Sequence, residues 1–497
     1  MGTQSSVLLF VTVTAIVLTY LRFRPRRKAL EPPYPPGPTG KTMPTHDPWV
    51  QYRKWGEEFG KLAYVQSKNI LIINDLQVAI DLLQTRAHIY SDRDTSFKHD
   101  LIGRDFILAL QRYSTKWRRS RKVFQQSFRE ATISRFFPAQ YRKTHLFLRR
   151  MITAPNDFMQ HTMALSQGLI YSTLYGLDVE PDDYLGRKTG EIIHEYIDVI
   201  LLDGAFPILD RFPWLRYMPS WFPGCNFKRI TAQCLQRVRE TNALPFDIAK
   251  SGVGTSLVAE LAIQNEENQD EIDAIKVMGF SSTLAGADTT ASSLASFLLA
   301  MVMHPDVQAK GQEEIDRVIG TDRLPTFEDR RSLPYVESIY REVMRLHPPF
   351  PLGISHVSIK DDFYGGYFIP KGCIVVPNLW AMNRDPDMYP EPDKFLPERF
   401  LNSPEGPFFS INKISAFGFG RRACVGRYMA DNTVWLCIAS TLAMLKVVKA
   451  KDDKGIEIPI SGEYTHNFLR HPKPYQCSIV PRSLYAKELV LATAEFQ

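Results

Sequence analysis

Around Cys424 the chain reads Phe417-Gly418-Phe419-Gly420-Arg421-Arg422-Ala423-Cys424-Val425-Gly426. A solitary cysteine is most often a small buried hydrophobe, but these neighbours argue for another role. Glycines at 418, 420 and 426 permit tight turns and let a flat ligand come close to the backbone. Arginines at 421 and 422 favour a thiolate over a thiol, and the thiolate is the form that binds metal. A second grouping, Ala285-Gly286-Ala287-Asp288-Thr289-Thr290, puts an acid beside a hydroxyl between apolar flanks. Small residues there allow close helix packing, and threonines commonly bond back to the preceding turn. Neither explains Asp288, whose charge is costly in an apolar helix unless it finds a partner.

Three further groups are charged or aromatic. Glu342 and Arg345 stand three apart on one helical face, and Pro397-Glu398-Arg399-Phe400 adds a second arginine downstream. Most such pairs are surface salt bridges worth little. Trp117 and Arg121 lie one helical turn apart, with the guanidinium able to grip a carboxylate bidentately. His356 precedes a strand, where a lone histidine is usually satisfied locally. From Lys116 to Arg150 there are eleven Lys or Arg and one acid, Glu130. That run is either a solvated basic face or a docking surface for an acidic partner; it lacks a recognised nucleic-acid motif.

The elements that must position these residues are mostly helical. Glu271–Met303 runs without proline for about 50 Å at 1.5 Å per residue and is closed by His304-Pro305. A helix so long and without heptads must pass through the middle of a large domain, buried on most sides. Short strand-like runs occur at Leu62–Val65 and Ile70–Ile73. Phe363–Ile369 and Ile374–Pro377, around Pro370-Lys371-Gly372, read as a hairpin. The expectation is one mainly α domain with a minor β part.

Composition excludes several classes. At 497 residues, 44% hydrophobic and 23% charged, the chain is neither a stapled miniprotein nor globally disordered. Six cysteines, at 225, 234, 373, 424, 437 and 477, form no CxxC pair, which argues against a zinc site or a disulfide framework. Ser6–Tyr20 carries no charge and is followed by Arg22, Arg24, Arg26, Arg27 and Lys28. With its flanks this makes about 20 residues, enough to span a bilayer as a helix. A cleaved signal peptide would carry its cations before the apolar run, and the cations behind it place that side in the cytoplasm. Pro32-Pro33-Tyr34-Pro35-Pro36-Gly37-Pro38 is then a stiff, non-helical spacer. The expected division is 1–28 membrane anchor and basic flank, 29–40 proline-rich strut, and 41–497 the main domain.

The order F-x-x-G-x-R-x-C-x-G at Phe417–Gly426 resembles the haem-binding signature of the cytochrome P-450 family. Ala285–Thr289 is similar to the family's A-G-x-D/E-T pattern, where a turn loosened by Gly286 would kink over the haem. Glu342, Arg345 and Arg399 resemble its buried Glu-Arg-Arg cluster. The resemblance covers nearly the whole chain. It implies haem b with Cys424 as the axial ligand to iron. Trp117, Arg121, Arg422 and His356 would partner the propionates, and Phe417 and Gly426 would border the ring. Glu342, Arg345 and Arg399 would hold the cysteine loop, Asp288 would bring protons, and Thr289 would hold the water that receives them.

Insertion of one oxygen atom from O2 into an apolar small molecule is the activity the resemblance implies. Only 73 residues follow Cys424, too few for a flavin domain, so electrons are expected from NADPH through a separate cytochrome P-450 reductase, with cytochrome b5 as a second donor. The expected place is the endoplasmic reticulum membrane, single-pass, with the main domain cytoplasmic and no nucleic-acid partner. Loop 205–223, with Phe206, Phe212, Trp214, Trp221 and Phe222, is expected to dip into lipid. Expected pocket walls are Phe97–Leu110, Phe350–Ile354 and the turn at His466–Phe468. Gly366–Gly372 and Arg470-His471-Pro472 look like fungal members of secondary-metabolite clusters, among them the O-methylsterigmatocystin oxidoreductase and tryptamine hydroxylase types. Two other readings stay open: a haem-thiolate isomerase or dehydratase acting without reductase, and a non-catalytic haem binder.

Overall fold

Largely apolar residues at Leu62–Val65 (β1) and Ile70–Ile73 (β2) pair antiparallel, with Leu62 opposite Ile73. They belong to a computed structural model that describes residues 32–40, 43–94, 103–180, 182–193, 206–251 and 256–493. The expected anchor at 1–28, and residues 97–102 of one expected pocket wall, lie outside the described residues.

The expected hairpin around Pro370-Lys371-Gly372 is corrected. The chain instead reverses at Gly365-Gly366, between Asp362–Tyr364 (β4) and Tyr367–Ile369 (β5). Both glycines have positive φ, the conformation that tight hairpin turns require. Pro370-Lys371-Gly372 then carries the chain to a different sheet. There Ile374–Pro377 (β6) pairs parallel with β2 and antiparallel with His356–Val357 (β3). The resulting order is β1-β2-β6-β3. Leu445–Lys449 (β7) and Cys477–Pro481 (β8) form a separate pair.

Helices make up most of the remainder: Pro48–Phe59 (α1), Thr115–Phe128 (α2), Phe137–Thr153 (α3), Phe158–Tyr175 (α4) and Tyr184–Ile193 (α5). Asn226–Lys250 (α6), Gln269–Met303 (α7), Pro305–Val318 (α8), Pro334–Leu346 (α9) and Arg427–Met444 (α10) follow. The 35-residue α7 starts where the Asn268 side chain accepts from Glu271 N, and it stops at His304 before Pro305. Apolar residues surround it on nearly every face, because it packs along α4, α2 and α10. It is the one helix among the described residues long and apolar enough to cross a membrane, and 83% of its apolar window is buried inside the fold.

Glycine lets α4 approach α7 closely. A Cβ on Gly279 would lie 2.3 Å from Tyr175 Oη, and one on Gly286 would lie 2.8 Å from Ile170 Cδ1. Gly286 therefore serves packing, and α7 runs unbroken through it rather than loosening there. The proline-rich segment also departs from expectation. Pro36 O accepts from Tyr64 N, Pro33 O accepts from Phe368 N, and Tyr34 stacks on Tyr64 at 5.2 Å. Residues 32–38 are thus non-helical, as expected, but laid along the sheets rather than held off as a spacer.

Candidate active site

Cys424 ends a loop pinned between α10 and the residues before it. Its N–H donates to Phe417 O at 2.7 Å, closing the turn. Gly420 has φ 55, and a Cβ there would meet Leu83 O at 2.2 Å, so no other residue fits without moving the backbone. Gly418, at φ 72, has nothing within 4 Å of its missing Cβ and lines the cavity beside Cys424. Five of the six cysteines are buried in the core, and Cys424 alone is exposed. Its sulfur opens onto an internal cavity of about 280 Å3. Cys437, by contrast, packs inside α10 with its sulfur 3.4 Å from Thr144 Oγ1, and burial pushes its thiol up to about 12.

The arginines beside the cysteine do not act as the sequence suggested. Arg421 turns outward to Tyr113 Oη at 2.7 Å. Arg422 donates to Ser91 O and Gln111 O, both at 2.8 Å. Burial raises the Cys424 thiol, opposed by the charges of Arg121 and Arg427 and by the Gly426 N–H. The cations that oppose this rise are thus Arg121 and Arg427, not the adjacent Arg421 and Arg422.

The loop is held from behind by a buried charge cluster. Glu342 is fully buried and accepts from Arg345 Nε at 2.6 Å and Nη2 at 2.8 Å, from Arg399 Nε at 3.0 Å, and from Leu396 N at 2.8 Å. Such a cluster tolerates burial because both carboxylate oxygens accept hydrogen bonds. Arg345 Nη1 donates to Asn383 O at 2.6 Å, and Asn383 Nδ2 returns a bond to Arg345 O at 2.9 Å. Asn383 Oδ1 then accepts from Ser415 Oγ, two residues before Phe417. Sequence reasoning found Glu342, Arg345 and Arg399 but missed Asn383 and Ser415, which have no charge pattern to mark them.

On the same side of the cavity stand three guanidinium groups with only carbonyl oxygens as partners. Arg422 is one; Arg121 Nη2 donates to Ala423 O at 2.7 Å. The third, Arg93, went unnoticed in the sequence and donates to Ala109 O, Ile354 O and Ser355 O at 2.6 to 2.8 Å. Burial pushes Arg422 down to about 8, Arg93 to about 9 and Arg121 to about 10. Guanidinium remains charged in proteins, so these shifts express the cost of burying cations, which Asp92 only partly offsets for Arg93 and Arg422. Trp117 stacks beneath Arg422 at 4.2 Å, and its buried Nε1 has no hydrogen-bond partner. His356 Nδ1 bonds Tyr90 O at 2.7 Å, and burial holds its ring neutral. All five line the cavity. A flat ligand carrying carboxylates fits this donor set, since it would meet the cations and the orphan indole together.

The opposite wall is α7. Ala285, Gly286 and Thr289 line the cavity, and Thr289 Oγ1 donates back to Ala285 O at 2.7 Å. Asp288 points away from it, to His471 Nε2 at 2.9 Å. Apolar walls are supplied by Ile107, Leu108, Phe350 and Ile354. Phe468 packs tilted against Phe350 at 5.1 Å, but His466 is no wall; it bonds Asp47 at the surface, 2.8 Å away.

The profile named Cytochrome P450 matches residues 37–479. The chain belongs to the cytochrome P450 family. It is similar to the cytochrome P450 monooxygenase claR of Ampulloclitocybe clavipes, at 37% identity over 97% of this chain and 93% of the relative. It is also similar to the tryptamine 4-monooxygenase of Psilocybe cyanescens, at 32% identity over 96% of this chain and 98% of the relative. Fungal cytochrome P450 monooxygenases of this kind match over nearly its full length, and it is an enzyme of that monooxygenase group. A zebrafish cytochrome P450 solved with progesterone superposes with TM-score 0.71, covering 88% of this chain and 99% of that one at 22% identity. That likeness fixes the P450 fold, mainly helical with a minor sheet part. The family holds haem through a cysteine thiolate.

Proposed function

We propose that this cytochrome P450 binds haem b through Cys424 and inserts one oxygen atom from O2 into an apolar small molecule of fungal secondary metabolism. The observation that carries it is the cavity itself, where the one exposed cysteine faces an apolar helix wall and is ringed by cations without acids. When bound there, haem supplies the oxygen-activating chemistry, with thiolate ligation favouring O–O cleavage.

The chain's own residues do the rest. Arg93, Arg121, Arg422 and the Trp117 indole bind the carboxylates, with His356 a neutral neighbour. Phe417 and Gly426 border the ring. Glu342, Arg345 and Arg399 hold the loop through Asn383 and make no bonds to the reacting atoms. Asp288 collects protons on the outer side of α7, and Thr289 presents a hydroxyl on the inner side that positions the water receiving them. Ile107, Leu108, Phe350 and Ile354 orient an apolar substrate and exclude bulk water.

Electrons come from NADPH through a separate reductase, with cytochrome b5 as a second donor. The basic run supports docking, but on a narrower face than its charge count suggested. Lys116, Arg119, Arg135, Arg142, Lys143 and Arg150 sit in ion pairs, and Arg121 faces the cavity. Arg149 bonds Thr493 Oγ1, and Arg118, Lys122 and Arg129 remain along one groove. Residues 1–28 anchor the protein in the endoplasmic reticulum membrane, 29–40 join the anchor to the sheets, and 41–497 face the cytoplasm. Exposed Phe212, Trp214, Tyr217 and Trp221 support lipid contact near the substrate entrance.

Cys424→Ser tests the assignment. Reduced protein treated with carbon monoxide should lose the absorption band of thiolate-bound haem. An unchanged band would move the ligand to another cysteine.

A further inference from the structure

Asp288, Ser292 and Ser296 recur every four residues, so they form one stripe along α7. The segment Tyr464–Pro472 lies against that stripe. Asp288 Oδ1 meets His471 Nε2 at 2.9 Å, and Ser292 Oγ donates to Arg470 O at 2.5 Å. Ser296 Oγ and Tyr464 Oη are both buried without a hydrogen-bond partner. The segment is a tight reversal. Tyr464 bridges Pro472, Thr465 N donates to His471 O at 2.8 Å, and His471 N donates to Thr465 Oγ1 at 3.0 Å. Arg470 N is tied to Pro349 O at 2.9 Å, while its guanidinium stacks over Tyr464 and Trp49. His471 is therefore clamped from both sides and aimed at one carboxylate.

We propose that His471 is the positioning residue through which solvent protons reach Asp288. The inference rests on the proton-supplying reading of Asp288 and Thr289 above. Among the described residues Asp288 has no other ion-pair partner, and the His471 side chain is 26% exposed against 10% for Asp288. The pair thus joins a wetted ring to a nearly dry acid on the back of the cavity wall. A pair needed only to neutralise Asp288 would be served as well by arginine, which cannot release its proton. Imidazole can both accept and release one. Solvent protonates Nδ1, the Nε2 proton passes to Asp288 Oδ1, and the ring returns to its first tautomer by exchange with water. No electron moves, and each cycle delivers one proton. Ser292 and Thr465 act only to keep the ring in register with the acid.

The test uses full-length holoenzyme with reductase, NADPH and phenanthrene as an apolar probe, comparing wild type, His471→Gln, Asp288→Asn and the double variant. All four should keep the carbon-monoxide band. Each single change should raise peroxide released per NADPH by about threefold or more, and the double variant should add nothing further. The solvent deuterium isotope effect on phenanthrol formation should rise in His471→Gln, which a purely structural role would not cause. Thermal unfolding, read without turnover, should likewise show non-additive midpoints for the pair. If His471→Gln loses the band, the near-isosteric Asp288→Asn carries the comparison. Wild-type peroxide release in either folded single variant, effects that multiply in the double, or a wild type already releasing all its electrons as peroxide would each overturn the inference. A wild type lacking the carbon-monoxide band would instead sink the haem reading on which it rests.

Discussion

The two walls of the cavity solve opposite electrostatic problems. Behind Cys424, a carboxylate and several guanidinium groups are buried together, and geometry is held by four bonds to the two oxygens of Glu342. On the cavity side of α7, Ser282, Thr289 and Ser293 bond back to their own helix, at Met278 O, Ala285 O and Thr289 O. Those hydroxyl protons are taken up within the helix, and Leu284, Ala285 and Gly286 complete that wall. Buried charge allows few arrangements, because an unpaired ion costs several kcal/mol. An apolar wall allows many, because volume-conserving swaps usually cost under about 1.5 kcal/mol. The cysteine side is accordingly where a short motif identifies a family, and the helix side is where substrates can differ.

The sharpest break in this contrast is Glu342→Gln. It leaves Arg345 and Arg399 buried with half their partner gone, and removal of one member of such a cluster costs about 3–5 kcal/mol. Soluble, haem-loaded protein should be lost, as read by the carbon-monoxide band per mole of chain. Thr289→Ala, on the apolar wall, should keep that band and the unfolding midpoint. It should cut product per NADPH on the order of tenfold, by removing a positioned proton relay. Equal damage to haem loading from both changes would erase the contrast.

A third measurement concerns His356, which burial keeps neutral in the fold. The unfolded chain binds a proton there near the ordinary value of about 6.5, while the folded one resists. Stability is therefore full above that pH and falls as pH drops below it, by up to about 1.4 kcal/mol per pH unit. His356→Asn should flatten part of this loss in melting curves between about pH 7 and 5. The smallest effect is expected at the surface. Arg118→Glu with Lys122→Glu should raise the Michaelis constant for reductase a few-fold at about 10 mM salt and less at about 200 mM, as screening grows. Salt-independent loss would place reductase elsewhere.

Local chemistry explains which features could be read from the chain. β1 and β2 form at the expected residues because short, largely apolar runs between turn signals have few alternatives. The long helix is two residues from its expected length of 33, since an asparagine cap and His304-Pro305 bound it. The misplaced hairpin failed because two competing turn signals stood six residues apart, and the left-handed pair Gly365-Gly366 suits a two-residue hairpin better than Pro370-Lys371-Gly372. Arg93 stayed hidden because Ser91-Asp92-Arg93-Asp94 looks like an ordinary surface run. Its burial depends on Ala109 and Ile354, residues that only folding brings near.

The order of residues was enough to establish the helical class, the cysteine loop, the acid-hydroxyl pair and the charged cluster, because each is a short-range pattern set by backbone conformation and neighbouring side chains. Three-dimensional packing alone decided which cation faces the sulfur, how Asn383 carries the cluster's hold to Ser415, and that Asp288 turns outward to His471. Those choices join residues up to hundreds of positions apart. Their energies depend on burial, and burial exists only once distant segments have come together.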